Sequence, residues 1–165
     1  MSLVLYRIDD RLIHGQVVVG WGQPLDIRFI VLVDDEVARS EWEQELYRMG
    51  TPPEMDVYFH SVDDAVEALP KYAEDPRPGI LLTGDVASML RLVRQSNGQV
   101  REVNVGGIHH RADRKQRLRY VFLSTGEEKL LRELADAGAI VTAQDVPATH
   151  PVELAELLAS EAGVQ

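Results

Sequence analysis

Leu3-Val4-Leu5-Tyr6-Arg7-Ile8-Asp9-Asp10-Arg11-Leu12-Ile13-His14-Gly15-Gln16-Val17-Val18-Val19-Gly20-Trp21 is the stretch on which the fold turns. It begins as a short apolar run bounded by charge, ends in what reads as one or two helical turns, and joins the two through a charged segment. A strand passing into a helix through a polar loop is the unit of a parallel α/β sheet, where ligands bind at the carboxyl ends of strands. His14 falls at that junction. Unpaired N–H groups at a helix start attract anions, and Gly15 lets the backbone approach whatever the imidazole carries. A neutral imidazole can attack phosphorus through one ring nitrogen while a hydrogen bond holds the other. The phosphoryl group would add roughly one and a half to two negative charges, which the guanidinium fork of Arg11 can neutralise. Asp10, with Asp9 second, is expected to orient Arg11 or the imidazole, unless one of them caps the helix. The amides from Gly15 and Gln16 onward are expected to bind phosphate oxygens. The competing reading of the same residues is a salt-bridged loop with a structural histidine.

Outward from this stretch, apolar runs alternate with helix-period segments to the end of the chain. That pattern predicts a three-layer α/β/α sandwich around a mainly parallel sheet of about six to seven strands. Further strands are expected at 27–33, 56–60, 80–83, 102–105, 120–123 and 139–143, with 80–83 central because its apolarity is continuous. Helices are expected over 38–49, from an N-cap at Ser61 to a loop opening at Pro70, over 86–95, over 129–137 behind a capping box at Thr125, and over 151–160 with Pro151 in the first turn. Trp42, Leu46 and Met49 fall on one helical face, and Trp21 and Trp42 read as core or interface anchors. Residues 109–119 read as a long basic connection, either a solvated loop or a patch that steers an acidic partner. The last residues, 161–165, are expected to fray.

The chain has 165 residues, the size of one domain, so a single domain over 1–165 is expected. Its formal charge of −10 argues against non-specific binding to nucleic acid or anionic membrane. Cysteine is absent, which excludes disulfides, thiolate nucleophiles and sulfur-ligated zinc. No run approaches the ~20 apolar residues needed to cross a bilayer, so no direct membrane insertion is expected. His109-His110 with His60 or His150 lacks metal-ligand spacing, and no metal is expected. Gly106-Gly107 and Gly20-Trp21-Gly22 match neither a dinucleotide fingerprint nor a P-loop, so no nucleotide cofactor is expected. Asp9-Asp10 with Thr83 parallels the acidic pair of a response-regulator receiver. No lysine ends the fifth strand, however, and no single aspartate ends the third.

The string RIDDRLIHGQVVVGW closely resembles the phosphorylation-site segment of the enzyme IIB component of the mannose/fructose/sorbose family of the bacterial sugar phosphotransferase system. Val103-Asn104-Val105-Gly106-Gly107-Ile108 resembles that family's Asn-Val-Gly-Gly segment, and Val141 to Pro147 its closing strand and loop. The resemblance spans nearly the whole chain. It implies a phosphocarrier in which His14 is phosphorylated on Nδ1 and Arg11 steadies the phosphoryl group, with no metal or organic cofactor. The implied partners are a mannose-family IIA protein as donor, and IIC/IID membrane components with their sugar as acceptor. The implied location is the cytoplasm, held to the inner membrane through those partners. A homodimer is left open, and a regulatory module that reports phosphorylation state without feeding transport is the alternative reading.

Overall fold

The computed structural model describes residues 2–159. Its centre is a seven-stranded sheet in the order β3-β2-β4-β1-β5-β8-β9. The strands are β1 (Leu3–Ile8), β2 (Phe29–Val33), β3 (Asp56–His60), β4 (Gly79–Thr83), β5 (Glu102–Val105), β8 (Ile140–Ala143) and β9 (Val152–Glu153). All pair in parallel except β9, which runs antiparallel to β8. Every residue of β2 and β4 is buried, the property expected of strands covered on both faces.

One face packs beneath α2 (Val62–Ala73), α3 (Val86–Gln95), α4 (Thr125–Asp136) and α5 (Leu154–Ala159), which share a core with Val31, Leu81 and Val105. On the other, a π-helix at Gln16–Trp21 and the approach to α1 (Glu41–Met49) cover Ile30, Leu32, Ile80 and Leu82. The expected three-layer architecture is therefore present. Ser40, Ser61, Asp85 and Ser124 cap α1, α2, α3 and α4 through their side chains.

Several elements depart from the sequence-based expectation. Val121–Leu123, expected as a strand of the main sheet, is β7 of a separate antiparallel ribbon with β6 (Lys115–Leu118). The expected 109–119 connection thus contains a strand, built around a single apolar side chain, Leu118. The helix over 38–49 is broken at Ser40, after a short 3₁₀ turn at Val37–Arg39. α2 continues through Pro70 to Ala73. The capping box uses Ser124 with Glu127, one residue before the expected Thr125. Val152–Glu153 pairs with β8 and delays the last helix, so Pro151 is not in its first turn. Trp21 is buried, but Trp42, Leu46 and Met49 point to solvent, Trp42 at 72% exposure. The expected fraying at 161–165 lies outside the described residues.

Candidate functional site

β1 is flanked by β4 on one side and β5 on the other, so the crevice beyond its carboxyl end opens at the middle of the sheet. The loop Asp9–Gly15 crosses that crevice. Leu12 adopts φ 57° there, a left-handed conformation that costs a non-glycine residue about 1–3 kcal/mol. Its side chain and that of Ile13 are buried in the core beneath the π-helix. With both neighbours anchored, His14 is held at the surface of the loop. Its side chain is 14% exposed and lines a cleft of about 440 Å³ with Arg11, Gly15, Gln16, His109, Arg119 and Tyr120.

The imidazole is positioned from within. Arg7, fully buried on β1, donates to Asp9 Oδ2 through Nε at 3.3 Å and Nη2 at 3.2 Å. Its remaining bonds go to the Asn104 side chain, to the carbonyls of Gln144 and Asp145, and to Gln16 Oε1. The guanidinium also lies 5.1 Å from the centre of the Trp21 ring. A Cβ at Gly106 would stand 2.3 Å from Arg7 Cζ, so only glycine leaves room for this cation.

Asp9 is itself fully buried. Burial pushes its carboxyl toward the neutral form, but the hydrogen bond from His14, the Arg7 charge and the Arg11 amide together hold it below the usual carboxylate range. Burial likewise pulls the Arg7 guanidinium below its ordinary value, against the opposing pull of Asp9. The pair stays ionic. Asp9 Oδ1 lies 3.1 Å from His14 Nε2 and accepts the Arg11 amide at 3.2 Å. An ionised carboxylate only accepts, so Nε2 carries the proton and Nδ1 keeps the lone pair.

The two aspartates exchange their expected order. Asp9 holds the imidazole, whereas Asp10 turns outward to accept the His109 amide at 2.7 Å and stands 2.6 Å from His109 Nδ1. The alternation of an extended chain separates them. Arg7 and Asp9 share the inward side, and Asp10 faces the loop after β5. Arg11 lines the cleft with His14. The Gln16 side chain is committed to Asp145 Oδ1 at 2.6 Å and to Arg7, so it braces the site from the cleft wall. Gly15 has open space where a side chain would stand.

Sequence reasoning missed Arg7, Asn104 and Asp145 as members of this network. A charged residue inside an apolar strand, two positions before an aspartate, was the available signal for Arg7. Asp145 lies across the crevice, and its one signal was its place in the closing segment Val141 to Pro147. The basic stretch is largely neutralised within the fold, because Arg114 pairs with Glu127, Arg117 with Glu128 and Arg119 with Asp145. Among the described residues no group of three or more His, Asp or Glu converges as a metal site, and no helix is long and apolar enough to cross a membrane.

Comparison with known proteins agrees with this architecture. The sorbose-specific EIIB component of the phosphotransferase system of Klebsiella pneumoniae is 35% identical over 140 residues, 84% of each chain. The N-acetylgalactosamine-specific enzyme IIB component 2 of Escherichia coli K12 is 31% identical over 157 residues, 95% of this chain and 99% of that one. The mannose-specific EIIAB component of E. coli K12 is 32% identical over 162 residues, which are 96% of this chain but 49% of that protein. Among solved structures, the IIBSor domain of the K. pneumoniae sorbose permease superposes with a TM-score of 0.85 at 31% identity, covering 96% of both chains. The family profile described as PTS system sorbose subfamily IIB component matches residues 3–165. With the buried Arg7–Asp9 pair and the cleft at the end of β1 in place, the chain belongs to the sorbose-subfamily IIB components of the sugar phosphotransferase system.

Proposed function

We propose that this chain is a phosphohistidine carrier in which His14 Nδ1 takes a phosphoryl group from a IIA-type donor and passes it to a sugar held by membrane IIC/IID components. The observation that carries this reading is the 3.1 Å contact between His14 Nε2 and an ionised, buried Asp9. It supports one tautomer, with the nucleophilic lone pair on Nδ1. In the forward step that lone pair forms a bond to phosphorus. The N–P bond of the donor phosphohistidine breaks, and its electrons return to the donor ring. Phosphoryl transfer asks the protein mainly for positioning and charge stabilisation, which side chains and backbone amides can supply. Arg11 neutralises the phosphoryl charge, and the amides of Gly15 and Gln16 meet its oxygens, those of Val17 and Val18 being bonded to the His14 carbonyl. The buried Arg7 offsets Asp9, so the acceptor ring is oriented without an uncompensated interior charge.

The E. coli mannose relative, whose name joins IIA and IIB, supports a IIA protein as donor. The chain accordingly works at the cytoplasmic face of the inner membrane. The test is incubation with phosphoenolpyruvate, the general phosphotransferase proteins and a cognate IIA protein. Acid-labile, base-stable label on His14, absent from His14→Ala, is the expected result. A label lost in base, or none at all, overturns the reading.

A further inference from the structure

We propose that His109 is a second phosphoryl ligand of this site, its Nε2–H donating to the group that His14 carries; this rests on the reading of His14 as the carrier. The ring of His109 is fixed by its surroundings although more than half of its side chain is exposed. Asp10 accepts both its backbone amide at 2.7 Å and its Nδ1 at 2.6 Å, and Arg114 donates to its carbonyl at 2.8 Å. Because the carboxylate only accepts, Nδ1 carries a proton and Nε2 is the ring nitrogen open to a ligand.

His109 lines the same cleft as His14. The two are closely related across Gly107, where a Cβ would lie 3.4 Å from His109 Cε1 and 3.6 Å from Asp9 Oδ1, the oxygen that holds His14. Two histidine–aspartate pairs thus stand side by side around one cavity, His14 on Asp9 and His109 on Asp10.

Charge balance gives the second pair its task. Of the cations near the cleft, Arg7 holds Asp9, Arg119 holds Asp145 at 2.6 Å, and Arg114 holds Glu127 at 2.6 Å with Asp10 at 3.9 Å. Each of these is paired with a fixed carboxylate that offsets its charge. A phosphoryl group close to a dianion therefore meets Arg11 and, once its Nε2 is protonated, His109, which adds a second charge-assisted hydrogen bond. The arrival of the dianion draws a proton from solvent onto His109, whose cation Asp10 already faces. Phosphorylation of His14 is thereby coupled to proton uptake at His109.

The test uses phosphoramidate as a small donor, so that no partner protein is needed. Its P–N bond breaks, ammonia leaves after taking a proton from solvent, and His14 Nδ1 forms the new N–P bond. In the phosphorylated chain, the ¹⁵N and ¹H resonances of His109 move toward those of an imidazolium. His109→Gln shortens the life of the phospho-form about tenfold, the order of one charge-assisted hydrogen bond. It also flattens the dependence of that lifetime on pH near neutrality, while the thermal midpoint of the unphosphorylated chain is unchanged. Label on His14 with unmoved His109 resonances, or with an unaltered lifetime in the variant, overturns the proposal alone. Label found on His109 in place of His14, or on neither, overturns it together with the carrier reading.

Discussion

Asp9 is the residue through which burial becomes chemistry, because each of its oxygens has a separate duty. Oδ2 meets the Arg7 guanidinium and Oδ1 meets the ring of His14. Asp9→Asn keeps the shape, removes the charge, and leaves the His14 tautomer undetermined. Phosphorylation should fall by roughly a hundredfold or more, as when the orienting carboxylate of a catalytic histidine is lost. The fold should lose about 3–5 kcal/mol as Arg7 is left without its counter-charge. Quench-flow labelling and urea melts check the two effects separately. Arg11→Ala removes an exposed side chain from the cleft wall. It should slow transfer or shorten the phospho-form's life by about tenfold while leaving the melt unchanged. A normal transfer rate would mean that the assigned role of Arg11 is wrong. His14, Arg11 and the carboxylate pair were legible in the sequence because they lie within six consecutive residues. Which carboxylate faces the ring was not, since that depends on Arg7 being drawn inward.

At the scale of elements, the site is assembled where the ends of β1, β5 and β8 meet. Gly106 and Gly107, following β5, are neighbours with different duties. A methyl group at Gly106 collides with Arg7, whereas at Gly107 its nearest neighbour is 3.4 Å away. Gly106→Ala should therefore destabilise the protein by about 1–3 kcal/mol and disturb phosphorylation, and Gly107→Ala by clearly less; paired thermal melts decide. The β6–β7 ribbon shows why this region was misread. Lys115-Gln116-Arg117-Leu118 contains one apolar residue, too few for an alternating signal. It becomes a strand because Val121–Leu123 pairs with it and because Arg117 and Arg114 are tied to Glu128 and Glu127 on α4. Those are contacts of tertiary origin.

The whole molecule is a sheet with a core on each face, and two tyrosines, Tyr72 buried and Tyr120 half-buried, report on its integrity. Burial, reinforced by the nearby Tyr58 and Asp75, raises the phenol of Tyr72 from 10.0 to about 12. Burial and Asp145 raise Tyr120 likewise to about 12, against the lowering influence of Arg7 and Arg119. In both cases the fold favours the neutral phenol. Their contribution is fully present below pH ~10 and is lost as pH rises through about 12. Alkaline unfolding should thus steepen across that window, and Tyr120→Phe should make it shallower. Following tyrosinate absorbance beside circular dichroism checks this, because ionisation of these two rings at an ordinary pH with the fold intact would contradict it.

The alternation of the main strands and helices, the parallel sheet and the strand-to-helix loop that carries His14 follow from local pattern alone. Hydrophobic period, turn residues and caps are properties of neighbouring positions in the chain. Contacts between distant segments decided the rest. Periodicity groups Trp42, Leu46 and Met49 on one face of α1, but only packing of the neighbouring elements turned that face to solvent. Charge at Arg7 is visible in the strand, yet its burial depends on Asn104, Gly106, Gln144 and Asp145, roughly a hundred or more residues away. A buried ion pair is tolerable only where all its partners arrive together, and that convergence exists only in three dimensions.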